Sequence, residues 1–208
     1  MINDYALYLM VAVTVTAIPG PAVVLTIRNS LRFGYRSTIA NIIGNFVAMV
    51  ILATLSAVGL GAVLLSSSVL FTALKLLGGL YLVYLGIMAW KAPPMTDSTP
   101  QGSVLQREHK SFFTLFKEGF GVGISNPKSI AFFAALFPQF IDPLRAYTPQ
   151  FLTLILTIEG ISFFVLTSYA LLASYLSPLL SNDRTMGYFN KLTGAAFIAF
   201  GVALVCEE

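Results

Sequence analysis

Six apolar runs, each long enough to cross a lipid bilayer as a helix, restrict this chain more than any other feature: Tyr5 to Ile27, Ile39 to Leu65, Val69 to Trp90, Phe120 to Ile141, Thr148 to Leu176, and Tyr188 to Cys206. A hydrocarbon core about 30 Å thick takes roughly 20 residues of helix. Inside it every backbone N–H and C=O must be paired within the protein, which leaves helices as the structure for segments of this kind. Composition agrees, with 57% hydrophobic and 10% charged residues, where soluble domains carry about 45–50% and 25%. The expected fold class is an all-α integral membrane protein with six transmembrane helices. A net charge of +3 does not point to nucleic acid, because the basic residues stand in the gaps between apolar runs and are not interleaved with aromatics on one face. The first run is not a cleavable signal, since Asp4 occupies the place of a basic leader and the run is too long for a signal core.

The stretch KAPPMTDSTPQGSVLQREHK, residues 91 to 110, is rich in Pro, Ser, Thr and charge and lacks apolar periodicity, which reads as a linker. One transmembrane transporter domain, residues 1–208, is therefore expected, with a first three-helix half over 1–90, a cytoplasmic linker over 91–116 and a second half over 117–208. Short loops rich in Lys and Arg stay cytoplasmic. Arg28, Arg32 and Arg36, then Lys91, Arg107, Lys110 and Lys117, then Arg184 and Lys191 mark one side; Lys75 and Arg145 mark the other. Both termini are expected outside, in a bacterial inner (plasma) membrane. The halves repeat: KLLGGLYLVYLG from Lys75 and KLTGAAFIAFGV from Lys191 share Lys-Leu-x-Gly, and the same offset lays Gly44 over Gly160. Three helices per half force opposite insertion, which is the inverted-repeat plan of many secondary transporters; the proline landmarks of runs one and four miss that offset by about ten residues.

Two runs are broken where a simple anchor would be continuous. The first contains VTVTAIPGPAVVLTIRN and the fourth GISNPKSIAFF. Proline removes a helical hydrogen bond and collides with the carbonyl four residues back, so Pro19 and Pro21 are expected to free the carbonyls of Val15 and Ala17, with Gly20 allowing close approach. At about 1.5 Å per residue, Pro19 and Asn126 lie on the order of 12 and 13 Å from the same face. Half-helix N-termini at such breaks present N–H groups and a positive dipole end to an anion. Lys128 inside a span costs about 2.5–3.5 kcal/mol on insertion scales and is a functional candidate by default. Glu159 is the carboxylate placed near mid-span. An α-amino acid fits this set: its carboxylate on Lys128, Asn126 and the freed N–H groups beside Pro127, its ammonium on freed carbonyls and Glu159. Glu159 is also the candidate carrier of a coupling proton, because a carboxyl withdrawn from water can trade its charge for a proton. Plainer roles compete. The prolines can kink a helix for packing, Lys128 can snorkel or pair with Glu159, and Asn41 and Asn45 can join helices through hydrogen bonds. Gly59, Gly61, Gly78, Gly79 and Gly194 read as close-packing positions, Trp90 as part of an interfacial belt, and His109 as a solvated linker residue.

IPGPAVVLTIRNSLRFGYRSTIANIIGN and FGVGISNPKSIAFFAALFPQFIDP resemble the two signature regions of the lysine-exporter superfamily, specifically its LysE/RhtB amino-acid exporter family. The likeness covers essentially the whole chain and rests on Pro19-Gly20-Pro21, Asn126-Pro127-Lys128 and the following Pro138-Gln139-Phe140 at this spacing. It implies an inner-membrane exporter of amino acids or close derivatives driven by the proton gradient. Many relatives carry Asp after the glycine of the second span; Asn45 stands there, which moves the proton-carrying role to Glu159 and leaves Asn45 as polar support. A lysine or arginine substrate calls for a second deep carboxylate, so a neutral side chain is expected, with threonine, homoserine and leucine open. The alternatives are export of a homoserine lactone or toxic analogue, and a membrane scaffold that transports nothing. A thiol–disulfide carrier needs two cysteines and the chain has Cys206 alone. A metal exporter calls for clustered soft or imidazole ligands, and no paired groups suit an intramembrane enzyme. Neither cofactor nor metal nor nucleic acid is expected; membrane lipid and protons are, and homo-oligomerisation is open.

Overall fold

The computed structural model describes residues 5–57, 68–91, 110–142, 144–176 and 183–206, and among these it is all-helical. In chain order the helices are α1 (Tyr5–Ala17), α2 (Pro21–Phe33), α3 (Tyr35–Ala57), α4 (Ser68–Trp90), α5 (Phe112–Ile124), α6 (Pro127–Ala131), α7 (Tyr147–Leu176) and α8 (Asp183–Cys206). A π-helical turn (Phe132–Leu136) and a 3-10 turn (Phe137–Phe140) continue from α6. Helices α3 and α7 are long and apolar enough to cross a membrane, and α1 with α2, bent by 50° at their break, forms a third such unit.

The first run does not end at Ile27 as expected. Its second half continues through Arg28 and Arg32 to Phe33, and both arginines are buried, at 8% and 5% exposure, so they are helix residues and not part of a loop. The connection to α3 is Gly34 alone, at φ 82 and ψ 160, a conformation open essentially only to glycine. The fourth run starts earlier than expected, at Phe112, because Ser111 caps it by accepting from the Thr114 N–H at 3.3 Å. Residues 58–67, with Gly59 and Gly61, and 92–109, with His109 and most of the expected linker, lie outside the described residues.

Lipid tails are as apolar as leucine, so helices in a bilayer associate through close contact and small residues. Two pairs show this. Helix α3 lies parallel to α5: a Cβ on Gly119 would stand 2.0 Å from the Asn41 carbonyl oxygen, and one on Gly123 would meet Asn45 and Ala48. Helix α4 lies antiparallel to α8: Gly79 faces the carbonyl of Gly201, and Gly86 and Gly194 each face the other's, at 2.6 to 2.8 Å from the position of a Cβ. The glycine spacing is seven residues on each helix, so the contact maps onto itself when Gly79 is laid over Gly194 and Gly86 over Gly201. That register differs by one residue from the Lys75/Lys191 alignment read in the sequence. Beneath α1 and α7 sits an aromatic core of Tyr8, Phe132, Phe133 and Phe137 with Leu154 and Ile158, which seats the π-helical turn against the break.

Candidate functional site

The backbone builds the site first. Gly20 is the uncapped N-cap of α2 and Pro21 its first residue. Pro21 brings no N–H, and the Val24 N–H bonds to the Gly20 carbonyl. The N–H groups of Ala22 and Val23 therefore have no intrahelical partner, and they sit at the positive end of a 13-residue helix. Across from them, Asn126 caps α6: its Oδ1 accepts from the Lys128 N–H at 3.2 Å, and Pro127 takes the first helical position, where a missing N–H does no harm.

Lys128 joins the two breaks. Its Nζ donates to the Ile18 carbonyl at 2.8 Å, and a Cβ on Gly20 would lie 3.5 Å from the same Nζ. The carbonyls that receive outside donors are thus Ile18, from Lys128, and Ala17, from the Tyr169 hydroxyl at 3.4 Å. Val15, whose carbonyl has no N–H donor at Pro19, lines the cavity. The Ile18 carbonyl is added to this set because α1 ends at Ala17 and α2 begins at Pro21, so that it falls in the gap.

Between the breaks lies a cavity of about 40 Å³, room for about three waters at 10–15 Å³ each. Thr16, Gly20, Asn45, Asn126, Lys128, Ser129 and Ser162 supply its polar wall; Val15, Ala22, Val23, Met49, Phe132, Phe133, Ile158 and Leu166 supply the apolar one. Asn45, Asn126, Ser129 and Ser162 are all buried. Glu159, 3% exposed, does not reach this cavity. It lines a narrow crevice behind it, between α3 and α7, which shares Asn45, Ser162 and Leu166 with the cavity. Glu159 and Lys128 therefore line two adjoining spaces and not one. Asn45 donates its Nδ2 to the Met49 sulfur at 3.3 Å, and the Ser162 hydroxyl approaches the same sulfur at 3.7 Å. Asn45 Oδ1 and Glu159 Oε1 have no hydrogen-bond partner among the described residues. Two unpartnered acceptor oxygens thus lie on the Asn45–Glu159 side, which suits an incoming ammonium, hydroxyl or proton.

Of the residues singled out in the sequence, Gly20, Asn45, Asn126 and Lys128 meet at one cavity, Pro21 and Pro127 start the helices that point at it, Pro19 is exposed in the break, and Glu159 stands one layer back. Sequence reading missed Ser129, Ser162 and Met49. Ser162 was within reach of it, three residues after Glu159 and so on the same helical face; Met49 lies four residues after Asn45 in the same way. The aromatic wall depends on the π-helical turn, for which no sequence signal was recognised.

The chain is 36% identical to an uncharacterised membrane protein of Vibrio cholerae over 208 residues, covering 100% of this chain and 98% of the relative. It is 34% identical to a homoserine/homoserine lactone efflux protein of Salmonella typhimurium, covering 95% and 93%, and 28% identical to a leucine efflux protein of the same organism, covering 97% and 94%. No solved structure matches it. Residues 13–208 match the family described as LysE type translocator, and the chain is a member of that family of membrane transport proteins.

Proposed function

We propose that this protein exports a neutral amino acid or close derivative from the cytoplasm, by alternating access around the cavity between the α1/α2 and α5/α6 breaks. The observation that carries this reading is the position of the Lys128 ammonium: it spans from α6 to the Ile18 carbonyl, beside two N–H groups of α2 that have no intrahelical partner. A substrate carboxylate replaces that carbonyl as the partner of Lys128 and takes the N–H groups, since a full negative charge adds Coulombic attraction to the ammonium that a neutral carbonyl does not offer. The released Ile18 and Ala17 carbonyls and the acceptors around Asn45 receive the ammonium. The aliphatic side chain lies against Phe132, Phe133 and Ile158. A cavity with room for a few waters is the occluded form, and loading requires the two halves of the broken span to part.

Coupling to protons is assigned to Glu159, whose crevice shares the Asn45–Ser162 wall with the cavity. The architecture proposed is six spans in two inverted three-helix repeats, supported by the antiparallel α4/α8 contact that maps onto itself. With Arg28 and Arg32 removed to the helix interior, the remaining flanking cations still favour termini outside the cytoplasm of a bacterial inner membrane. A second reading, export of a lactone or hydroxylated analogue, draws on the homoserine/homoserine lactone relative and on the Ser162 hydroxyl at the wall. The test expresses the protein in a host fed dipeptides and measures which amino acid accumulates outside, with Lys128→Ala as control. Export of one neutral amino acid above background, lost in the control, is expected; unchanged efflux of every amino acid tried removes the proposal.

A further inference from the structure

The glycine contacts of α4 and α8 fix which residues share a level. Pairing Gly86 with Gly194 and Gly79 with Gly201 sets residue 90 opposite residue 190, so Lys91 and Lys191 stand within about two residues, roughly 3 Å, of one another along the bundle axis. The contact is direct here, since a Cβ on Gly194 would lie 2.9 Å from the Trp90 N–H nitrogen. Helix α4 stops at Trp90 while α8 continues to Asp183, about 10 Å further. Among the described residues the step leaves an open groove of about 570 Å³, lined by Trp90, Tyr188, Phe189, Leu192 and Ala195 together with Thr185 and Lys191. Trp90, Tyr188 and Leu192 are exposed at 48%, 69% and 70%, and Lys91 and Lys191 are exposed as well.

We propose that this groove binds one anionic phospholipid, its headgroup on Lys91 and Lys191 beside Tyr188 and an acyl chain along Trp90, Leu192 and Ala195. Charge selects the occupant: an acyl chain alone explains the apolar lining, whereas two lysines at one level beside it call for an anion attached to that chain. Tryptophan and tyrosine mark the depth where headgroups begin, and basic pockets between transmembrane helices bind anionic headgroups. The site is separate from the cavity and does not depend on the transport reading.

Trp90 is the chain's single tryptophan, so its fluorescence reports this groove alone. The full-length protein is reconstituted in phosphatidylcholine vesicles containing increasing fractions of dibrominated phosphatidylglycerol or dibrominated phosphatidylcholine. Preferential quenching by the phosphatidylglycerol is expected, with a relative affinity of about fivefold for each lysine. Lys91→Gln with Lys191→Gln brings the two lipids to parity, while Lys91→Arg with Lys191→Arg keeps the preference and shows that the fold is intact. Equal quenching in the wild-type protein means an ordinary lipid annulus and overturns the proposal. So does a preference that survives the double Gln variant, or an absence of quenching by either lipid, as when a second copy of the chain covers the groove. Inorganic phosphate in millimolar excess leaves the quenching unchanged; reversal by phosphate identifies a bare anion site and rejects the lipid.

Discussion

Replacing Lys128 by Gln separates the two things its side chain does. A glutamine amide retains a donor for the Ile18 carbonyl but carries no charge. In the resting protein Lys128 makes a charge-to-carbonyl bond of 2.8 Å, of the kind worth about 1.5–3 kcal/mol, against 0.5–1.5 kcal/mol for a neutral donor. Loss of the charge therefore costs the fold about 1 kcal/mol, a small fall in melting temperature. The substrate loses more, because its carboxylate exchanges an ammonium for an amide at a site where no other described cation lines the cavity. Setting the lost charge-assisted bond at about 1.5–3 kcal/mol predicts an apparent affinity weaker by roughly 10- to 150-fold. The lower half of that range is favoured, since the substrate must displace the Ile18 bond to make its own. The assay is efflux from proteoliposomes loaded with the amino acid identified by dipeptide feeding, measured over a range of internal concentrations. Half-saturation should rise in Lys128→Gln with the maximal rate reduced less, while Lys128→Met, which keeps neither charge nor donor, should also lower thermal stability in detergent. A Gln variant with wild-type half-saturation would refute the argument that the ammonium receives the carboxylate.

Gly34→Ala should destabilise the protein by about 1–3 kcal/mol, because φ 82 with ψ 160 admits little but glycine; thermal unfolding of purified protein in detergent reads this directly. Gly194→Val places a side chain where a Cβ already stands 2.7 Å from the Gly86 carbonyl oxygen, so α4 and α8 separate at a cost of about 1–3 kcal/mol, seen as a lower melting temperature; an unchanged value would reject the glycine-paired contact. Glu159→Gln should leave substrate exchange between two loaded compartments intact while abolishing acceleration by an imposed proton gradient, and gradient-driven efflux equal to wild type removes Glu159 from the coupling path.

How far the site was readable from sequence depends on whether its parts are local. The break at Pro19-Gly20-Pro21 and the cap at Asn126-Pro127 are local chemistry, since a missing N–H and an Asx side chain act within one turn, and both are where the residues implied. Lys128 announced itself by its cost within an apolar run. Glu159 is buried in α7 but faces the crevice and not the cavity that holds Lys128, which its place along the helix could not tell, because depth says nothing of the direction in which a side chain leaves the helix. Arg28 and Arg32 were read as loop charges, since a run of apolar residues ends at Ile27; packing of α2 among its neighbours carries the helix two turns further and buries them.

Chain order and residue chemistry alone settled the membrane class, the helical character, the two interrupted runs and their helix-starting prolines, each a consequence of interactions spanning a few residues or of mean apolarity. Tertiary packing alone settled that the Lys128 ammonium closes onto the Ile18 carbonyl, that Ser129 and Ser162 join the cavity wall, and that α4 and α8 meet in the register of Gly79 with Gly201 and Gly86 with Gly194. Those outcomes turn on which faces of different helices approach within a few ångströms. A hydropathy pattern cannot carry that information, because in a bilayer helix pairing is decided by the shape of small residues and by individual polar contacts.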